Sequence, residues 1–208
     1  MNKPVIMIGN GGHASVLVET LLIQQREIIG YTAPSKEKAF LDLPYLGTDD
    51  IIADNYNRDE VELVLGLGTV TTSNVRKSIF VHFKSLGFSF ASVIHPTAVI
   101  SSSMQMGKGI QVMAGAILQT NVSIGDNSII NTGSIIDHDC LIGEHVHIAP
   151  GSTLSGGVQI GDSCLIGVGT SIIQSISIGN ETIIGAGSVV VKDIGSEKTA
   201  YGVPAKEV

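Results

Sequence analysis

"IIDHDCLIGEHVHIAPGSTLSGGVQIG", residues 135–161, sets an aliphatic side chain at every sixth position: Ile136, Ile142, Ile148, Leu154 and Ile160. Extended both ways, the count runs from Ile100, Met106, Val112, Leu118, Ile124 and Ile130 to Ile166, Ile172, Ile178, Ile184 and Val190, sixteen positions without a break. An α-helix repeats its apolar face every 3.6 residues and a half-buried strand every two, so a strict period of six belongs to neither alone. It is the signature of a solenoid of short parallel strands, in which each turn of chain is buried by its neighbours. The residue four places further on is also restricted, as at Ala116, Ser134, Cys140, Ser152, Cys164 and Thr170, and is expected to point inward where there is little room. Glycine often follows the aliphatic position directly, as at Gly107, Gly125, Gly143, Gly161, Gly167, Gly179 and Gly185, where turns with permissive backbone dihedrals are expected.

Composition supports a repeat architecture. The 208 residues are 43% hydrophobic but only 4% aromatic, without Trp and with 25 Gly, so the interior is filled by small aliphatic groups. A net charge of −7 with no Lys/Arg cluster excludes generic binding to a polyanion. No stretch approaches the roughly 18 to 20 apolar residues of a membrane span, and the start lacks a secretory pattern, so a cytoplasmic protein is expected. Two cysteines, Cys140 and Cys164, suit a reducing compartment and make no disulfide framework.

Residues 1–92 read differently. "PVIMIG", "EIIGYT" and "VELVLGLG" are expected strands. "HASVLVETLLIQQ", with Val16, Leu17, Leu21 and Leu22 on its apolar face, "DDIIADN" and "TSNVRKSIFVHFKSLG" are expected helices. The pattern β-α-β-α-β-α predicts a small Rossmann-like parallel sheet with ligand space at the carboxyl ends of its strands, followed over 93–208 by the solenoid. The first strand enters the glycine turn "GNGGHA", residues 9–14. Ala14 stands where a dinucleotide fingerprint has its third glycine, and no acidic residue follows near "GYTAP", which argues against NAD. The turn still brings bare backbone to the start of a helix, where N–H groups and the helix dipole favour a phosphate. Candidate substrate-binding residues are therefore Gly9, Asn10, Gly11, Gly12 and His13, with Thr32 after the second strand and Gly68 and Thr69 after the third.

Three of the six histidines, His138, His145 and His147, fall in the opening stretch. By the period of six the inward positions there are Ile136, Cys140, Ile142, Val146 and Ile148, which puts all three histidines outside the core. His138 lies between Asp137 and Asp139, and a carboxylate beside an imidazole fixes its tautomer and raises the basicity of its other nitrogen.

The repeat is similar to that of the hexapeptide acyltransferases. More specifically, "HDCLIGEHVHIAPGSTLSGGVQIG", "GNGGHA" and the ending "GAGSVVVKDI…YGVPAK" resemble the NeuD/PglD-like sugar acetyltransferases over essentially the whole chain. The resemblance implies a left-handed parallel β-helix with three hexapeptides per coil, hence about five coils here and no long external loop between residues 100 and 194. It places Cys140 and Cys164 on different faces, unpaired and structural. It implies acetyl-CoA as cosubstrate, a nucleotide-linked 4-amino sugar as acceptor, and a homotrimer with active sites between neighbouring β-helices. His138 is then the general base with Asp139 as its partner, Asp standing one methylene short of the Glu found in relatives. His147 lies near the thioester, Gly156, Gly167 and Gly185 lie along the CoA path, and Lys206 in "GVPAK" meets a CoA phosphate. "IGYTAP" departs from relatives that read UDP with an acidic residue after the second strand, leaving GDP and dTDP open. O-acetylation of a sugar hydroxyl, as in sialic acid, and a non-catalytic nucleotide-sugar scaffold stand as alternatives. The histidine spacing departs from that of the γ-type carbonic anhydrases on the same solenoid, so no metal is expected.

Overall fold

The computed structural model describes residues 3–36, 42–69 and 74–208. They form two compact units, one of residues up to Thr69 together with those from 74 to Pro96, the other running from Thr97 to Val208.

The first unit comprises β1 (Val5–Ile8), α1 (Gly12–Ile23), β2 (Ile28–Thr32), β3 (Tyr45–Gly47), α2 (Asp50–Asn55), β4 (Glu62–Leu65), α3 (Val75–Ser85) and β5 (Ser89–Phe90). All its strands are parallel, in the order β3-β2-β1-β4-β5. With β2 on one side and β4 on the other, β1 is wholly buried, which is why "VIMI" is apolar without alternation. The strand order steps outward from β1 to β2 and β3, then restarts on the other side with β4 and β5, so direction reverses between β1 and β4.

Two expectations change. The sheet gains β3 and β5, of three and two residues, too short to display any period. On α1, Val16 and Leu22 are 42% and 55% exposed, while Ala14, Leu17, Val18 and Leu21 are buried. Apolar residues surround this helix, so composition alone does not select a face, whereas 14, 17, 18 and 21 form one i, i+3, i+4, i+7 stripe. Residues 72 and 73 of the third expected helix lie outside the described residues. That helix ends before Gly87, which has φ +86. Phe80, Phe83, Phe88 and Phe90 join Ile6, Ile8, Leu63 and Leu65 in the core of this unit.

In the second unit each of the sixteen aliphatic positions closes a two-residue strand, from Val99–Ile100 to Val189–Val190. Each pairs in parallel with strands eighteen residues away, as Ile117–Leu118 does with Val99–Ile100 and Ile135–Ile136. The strands therefore lie on three faces. The first carries Val99–Ile100 and Ile135–Ile136, the second Gln105–Met106 and Leu141–Ile142, and the third Gln111–Val112 and His147–Ile148. Three strands to a coil make five coils and one strand over, with no insertion.

The inward small positions form a ladder of donors. Ser134 Oγ donates to the Ala149 carbonyl at 3.0 Å, Ser152 Oγ to Gly167 at 2.8 Å and Thr170 Oγ1 to Gly185 at 3.2 Å, each fifteen residues ahead. Cys140 and Cys164 do the same through sulfur, to Ser155 at 3.2 Å and Gly179 at 3.0 Å, and both are free thiols. Buried hydroxyls without such acceptors would be strongly destabilising, so where the inward residue is polar it must donate, while Ala116, Val122, Val146 and Val158 fill the same column with apolar groups.

The glycines after the aliphatic positions serve a different purpose from the one expected. Positive φ falls two residues later, at every sixth position from Gly109 to Gly187, and includes Asn121, Asn127, Asp139 and His145. The earlier glycines are required by close approach of the next coil. A Cβ on Gly125 would lie 2.6 Å from the Glu144 nitrogen, and one on Gly167 2.5 Å from the Ala186 nitrogen. Parallel strands stack about 4.8 Å apart, which leaves no space for a side chain between them at that point.

After the last coil, Thr199–Gly202 pairs in parallel with Ile183–Ile184 on the third face and turns back into the antiparallel strand Ala205–Glu207.

This division of roles has a measurable outcome. Gly115 has φ +68 and open space around its missing Cβ, and Asn occupies the equivalent corner at positions 121 and 127. Gly115→Asn should leave the thermal midpoint nearly unchanged, whereas Gly125→Asn should cost roughly 2 kcal/mol or more by overpacking. Equal losses in calorimetry would mean that the close approach of the next coil does not constrain Gly125.

Candidate functional site

His138 and Asp139 stand on the corner that joins the first face to the second, between strands Ile135–Ile136 and Leu141–Ile142. The corner requires a left-handed residue, and Asp139 takes it with φ +59, a conformation Asp tolerates better than most side chains. The coils on either side pin the backbone. Asp139 N donates to the Thr120 carbonyl at 3.0 Å, and the His138 carbonyl accepts from Gly157 N at 2.9 Å.

His138 Nδ1 lies 2.7 Å from Asp139 Oδ2, and Asp139 Oδ1 accepts from Asn121 Nδ2 at 3.1 Å. The His138 main-chain N–H is held by Asp137 Oδ1 at 2.8 Å. An ionised carboxylate only accepts hydrogen bonds, so Nδ1 carries the proton and Nε2 keeps its lone pair. The Asp139 hydrogen bond, and then the charge of Asp137, raise the imidazole above its ordinary pKa. The same bond, with that from Asn121, holds the Asp139 carboxyl below its usual range. Both side chains are 58% exposed, so bulk water screens this pair while leaving it open to a ligand.

Gly156 lies directly beneath the ring. A Cβ there would sit 2.5 Å from Cε1 and 2.6 Å from Nε2 of His138. Asn121 and Gly156 are each one coil, eighteen residues, from their partners Asp139 and His138. Asn121 was not among the candidates, although counting eighteen back from Asp139 finds it. Next in the chain, burial pushes the Cys140 thiol pKa up, away from the thiolate form that a nucleophile needs.

The other two histidines are enclosed. His147 lies on the outward side of its strand as expected, yet it is only 6% exposed, with Nε2 3.1 Å from Asn131 Nδ2. His145 Nδ1 lies 2.9 Å from Asn127 Nδ2, and its side chain is nearly buried. His147 belongs to the third face, which is opposite the corner carrying His138, so one chain does not bring these two side chains together.

The residues proposed for CoA also separate. Gly156 belongs to the His138 corner. Gly167 and Gly185 stack on the corner joining the third face to the first, and Tyr201 Cβ would meet a Cβ on Gly185 at 2.8 Å. Tyr201 is the hairpin partner of Lys206, so Gly185 and exposed Lys206 meet at one end of the solenoid. The last residues are an ordered strand held by Val208 N to the Thr199 carbonyl, 2.9 Å.

In the first unit the glycine turn leaves β1 with Gly9 at φ +98, and among the described residues Gly11 and Gly12 have nothing within 4 Å of an added Cβ. Asn10 and His13 flank that bare backbone. Gly68 packs on His13, whose Cβ would lie 3.6 Å from one on Gly68, and Thr69 follows it. Ala14 is accommodated because Gly66 faces it, with 2.5 Å between Ala14 Cβ and a Cβ on Gly66. Thr32 is wholly buried, and its hydroxyl donates to Asp49 Oδ1 at 2.6 Å. An acidic group therefore does stand beside the end of β2, supplied from seventeen residues downstream rather than from "GYTAP". Among the described residues no three His, Cys, Asp or Glu are grouped to hold a metal ion, and no helix is long and apolar enough to cross a membrane.

Residues 4–83 match the PglD N-terminal domain family, residues 121–156 the bacterial transferase hexapeptide family and residues 157–192 the hexapeptide repeat of succinyl-transferase. A mutant of perosamine N-acetyltransferase from Caulobacter crescentus, in complex with CoA and GDP-perosamine, is 36% identical over 99% of this chain and 96% of its own, with a TM-score of 0.91. The acetyltransferase domain of PglB from Neisseria gonorrhoeae, in complex with acetyl coenzyme A, is 32% identical over the whole of both chains, with a TM-score of 0.93. WeeI from Acinetobacter baumannii is 25% identical over the whole of both, with a TM-score of 0.85. No curated protein matches the chain.

The geometry at the corner sets a sign for titration. By NMR, the His138 imidazole should titrate above the ordinary value of about 6.5, and Asp139→Asn should bring the midpoint down. A wild-type midpoint at or below the ordinary value would mean that the Asp139 bond does not persist in solution.

Proposed function

The chain belongs to the NeuD/PglD-like sugar acetyltransferases, and from that premise we propose that it transfers the acetyl group of acetyl-CoA to the amino group of a nucleotide-linked 4-amino sugar. The observation that carries the chemistry is the chain of contacts Asn121–Asp139–His138, which leaves Nε2 of a half-exposed imidazole over a bare glycine floor.

In this reading the sugar nitrogen attacks the thioester carbonyl while Nε2 of His138 takes its proton. Asp139 stabilises the imidazolium that results, and Asn121 keeps Asp139 ionised and aimed. The carbon–sulfur bond then breaks and CoA leaves as thiolate, to which the proton is returned. A positioned base contributes about 10² to 10⁴-fold, and orientation of the two substrates supplies much of the rest. Buried Cys140, with its raised pKa, supports direct transfer without an acyl-enzyme.

Lys206 and the stacked backbone at Gly167 and Gly185 offer a cation and close main-chain approach for CoA. The glycine turn of the first unit, Gly9 to His13 with Gly68 and Thr69, takes the nucleotide of the acceptor. Because His138 and His147 occupy opposite sides of the solenoid, they can serve one thioester only if different copies supply them. This supports a homotrimer with sites between neighbours. The Caulobacter relative was crystallised with GDP-perosamine, which puts GDP-linked sugars first among acceptors to test.

Thiol release from acetyl-CoA should be followed with a panel of GDP-, UDP- and dTDP-linked amino sugars and with sialic acid. On the best acceptor His138→Ala should lower kcat/KM by roughly 10² to 10⁴-fold, Cys140→Ala should retain the rate, and the acid limb of the pH profile should lie above the ordinary imidazole value. Near-normal turnover by His138→Ala would remove it as the base. Activity confined to hydroxyl acceptors would move the reading to O-acetylation.

A further inference from the structure

Arg76, on the first turn of α3, is only 5% exposed. Its Nη1 donates to the carbonyls of Leu65 at 3.0 Å and Leu67 at 2.6 Å. Nε and Nη2 have no hydrogen-bond partner among the described residues. Those two nitrogens form one edge of the planar guanidinium, where parallel N–H groups match the two oxygens of a carboxylate or phosphate. The side chain is thus tied to the main chain by one nitrogen, and its whole bidentate edge is unmatched. Burial pushes its pKa down to about 9, which still leaves it charged at neutral pH. An unpaired buried charge is strongly destabilising, and its retention needs a reason.

Its position supplies one. Strand order reverses between β1 and β4, and ligands of open parallel sheets bind beyond the carboxyl ends of the strands at such a point. One wall of that crevice is the turn from Gly9 to His13, the other the segment from Leu65 to Thr69. The walls touch, since Leu67 Cδ1 would lie 3.3 Å from a Cβ on Gly9. Neither residues 9–14 nor 64–69 include a lysine or arginine. Arg76 grips the second wall through its carbonyls and so brings a fixed cation to it.

We propose that the Nε/Nη2 edge of Arg76 receives a phosphate of the bound nucleotide, making Arg76 the charged half of a diphosphate site whose neutral half is the Gly9–His13 turn. The proposal rests on the reading of the first unit as the nucleotide-binding one.

Calorimetric titration of the full chain with GDP, UDP and dTDP, and with the matching nucleosides, tests it on wild type, Arg76→Met and Arg76→Lys. The best diphosphate should bind roughly tenfold or more weakly to both variants, since Lys keeps the charge but loses the fork. Nucleoside binding should not change. With the nucleotide sugar, KM should rise while kcat holds, and without nucleotide Arg76→Met should melt no lower than wild type. Diphosphate affinity within about twofold of wild type in Arg76→Lys or Arg76→Met overturns the proposal while leaving the nucleotide site standing. A wild-type chain that binds none of the three diphosphates overturns that site and Arg76's role together.

Discussion

Everything in the second unit depends on the contact between one coil and the next. Each coil meets its neighbour eighteen residues away through three two-residue parallel ladders, which are too short to hold a sheet by themselves. What makes them cooperative is that the intervening corners are also bonded from coil to coil. Main-chain bonds such as Asp139 N to Thr120 and Gly157 N to His138, and the inward hydroxyls and thiols donating fifteen residues ahead, join the corners as firmly as the ladders join the faces. At corners such as Gly125 and Gly167, the glycine that follows the aliphatic position removes a Cβ that would collide with the next coil.

The corner carrying His138 is a use of the same stacking. His138 has its carboxylate partner beside it in sequence, but the group that orients the carboxylate, Asn121, comes from the coil before, and the floor of the ring, Gly156, from the coil after. Three successive coils therefore build a relay that no single hexapeptide contains. Asp139 takes the left-handed conformation that the solenoid demands at this corner while its carboxylate meets the imidazole.

Much of this was legible in the sequence, and the remainder was hidden for identifiable reasons. The unbroken period of six led to the strands and the inward position of Cys140 and Cys164, because a repeat states its own geometry many times over, while the number of coils came from the three hexapeptides per coil that the family resemblance implies. The His138–Asp139 pair was legible because the two are adjacent. Asn121 was missed although the period implied it, since its role appears only when residues are compared down a column rather than along the chain. The burial of His147 was not legible, because an outward strand position states which side of its sheet a residue takes and not what stands there. The first unit has no repeat to vouch for it. Its shortest strands, β3 and β5, left no pattern, and the inward face of α1 was ambiguous in an apolar helix. Asp49 came to Thr32 across seventeen residues, and Arg76 resembled any other residue of a basic-leaning helix until its buried, half-matched fork was seen.

The eighteen-residue spacing also quantises how this chain can change length. Removing or adding a single residue between His138 and Gly156 would put the following aliphatic side chains out of phase with the interior and carry Gly156 from beneath His138. A whole coil, by contrast, leaves all later columns in phase and only lengthens the prism. Growth and divergence of the second unit are thus confined to coil-sized steps and to the outward positions. The distance along the axis from the His138 corner to the Lys206 hairpin can take only discrete values, set by how many coils separate them.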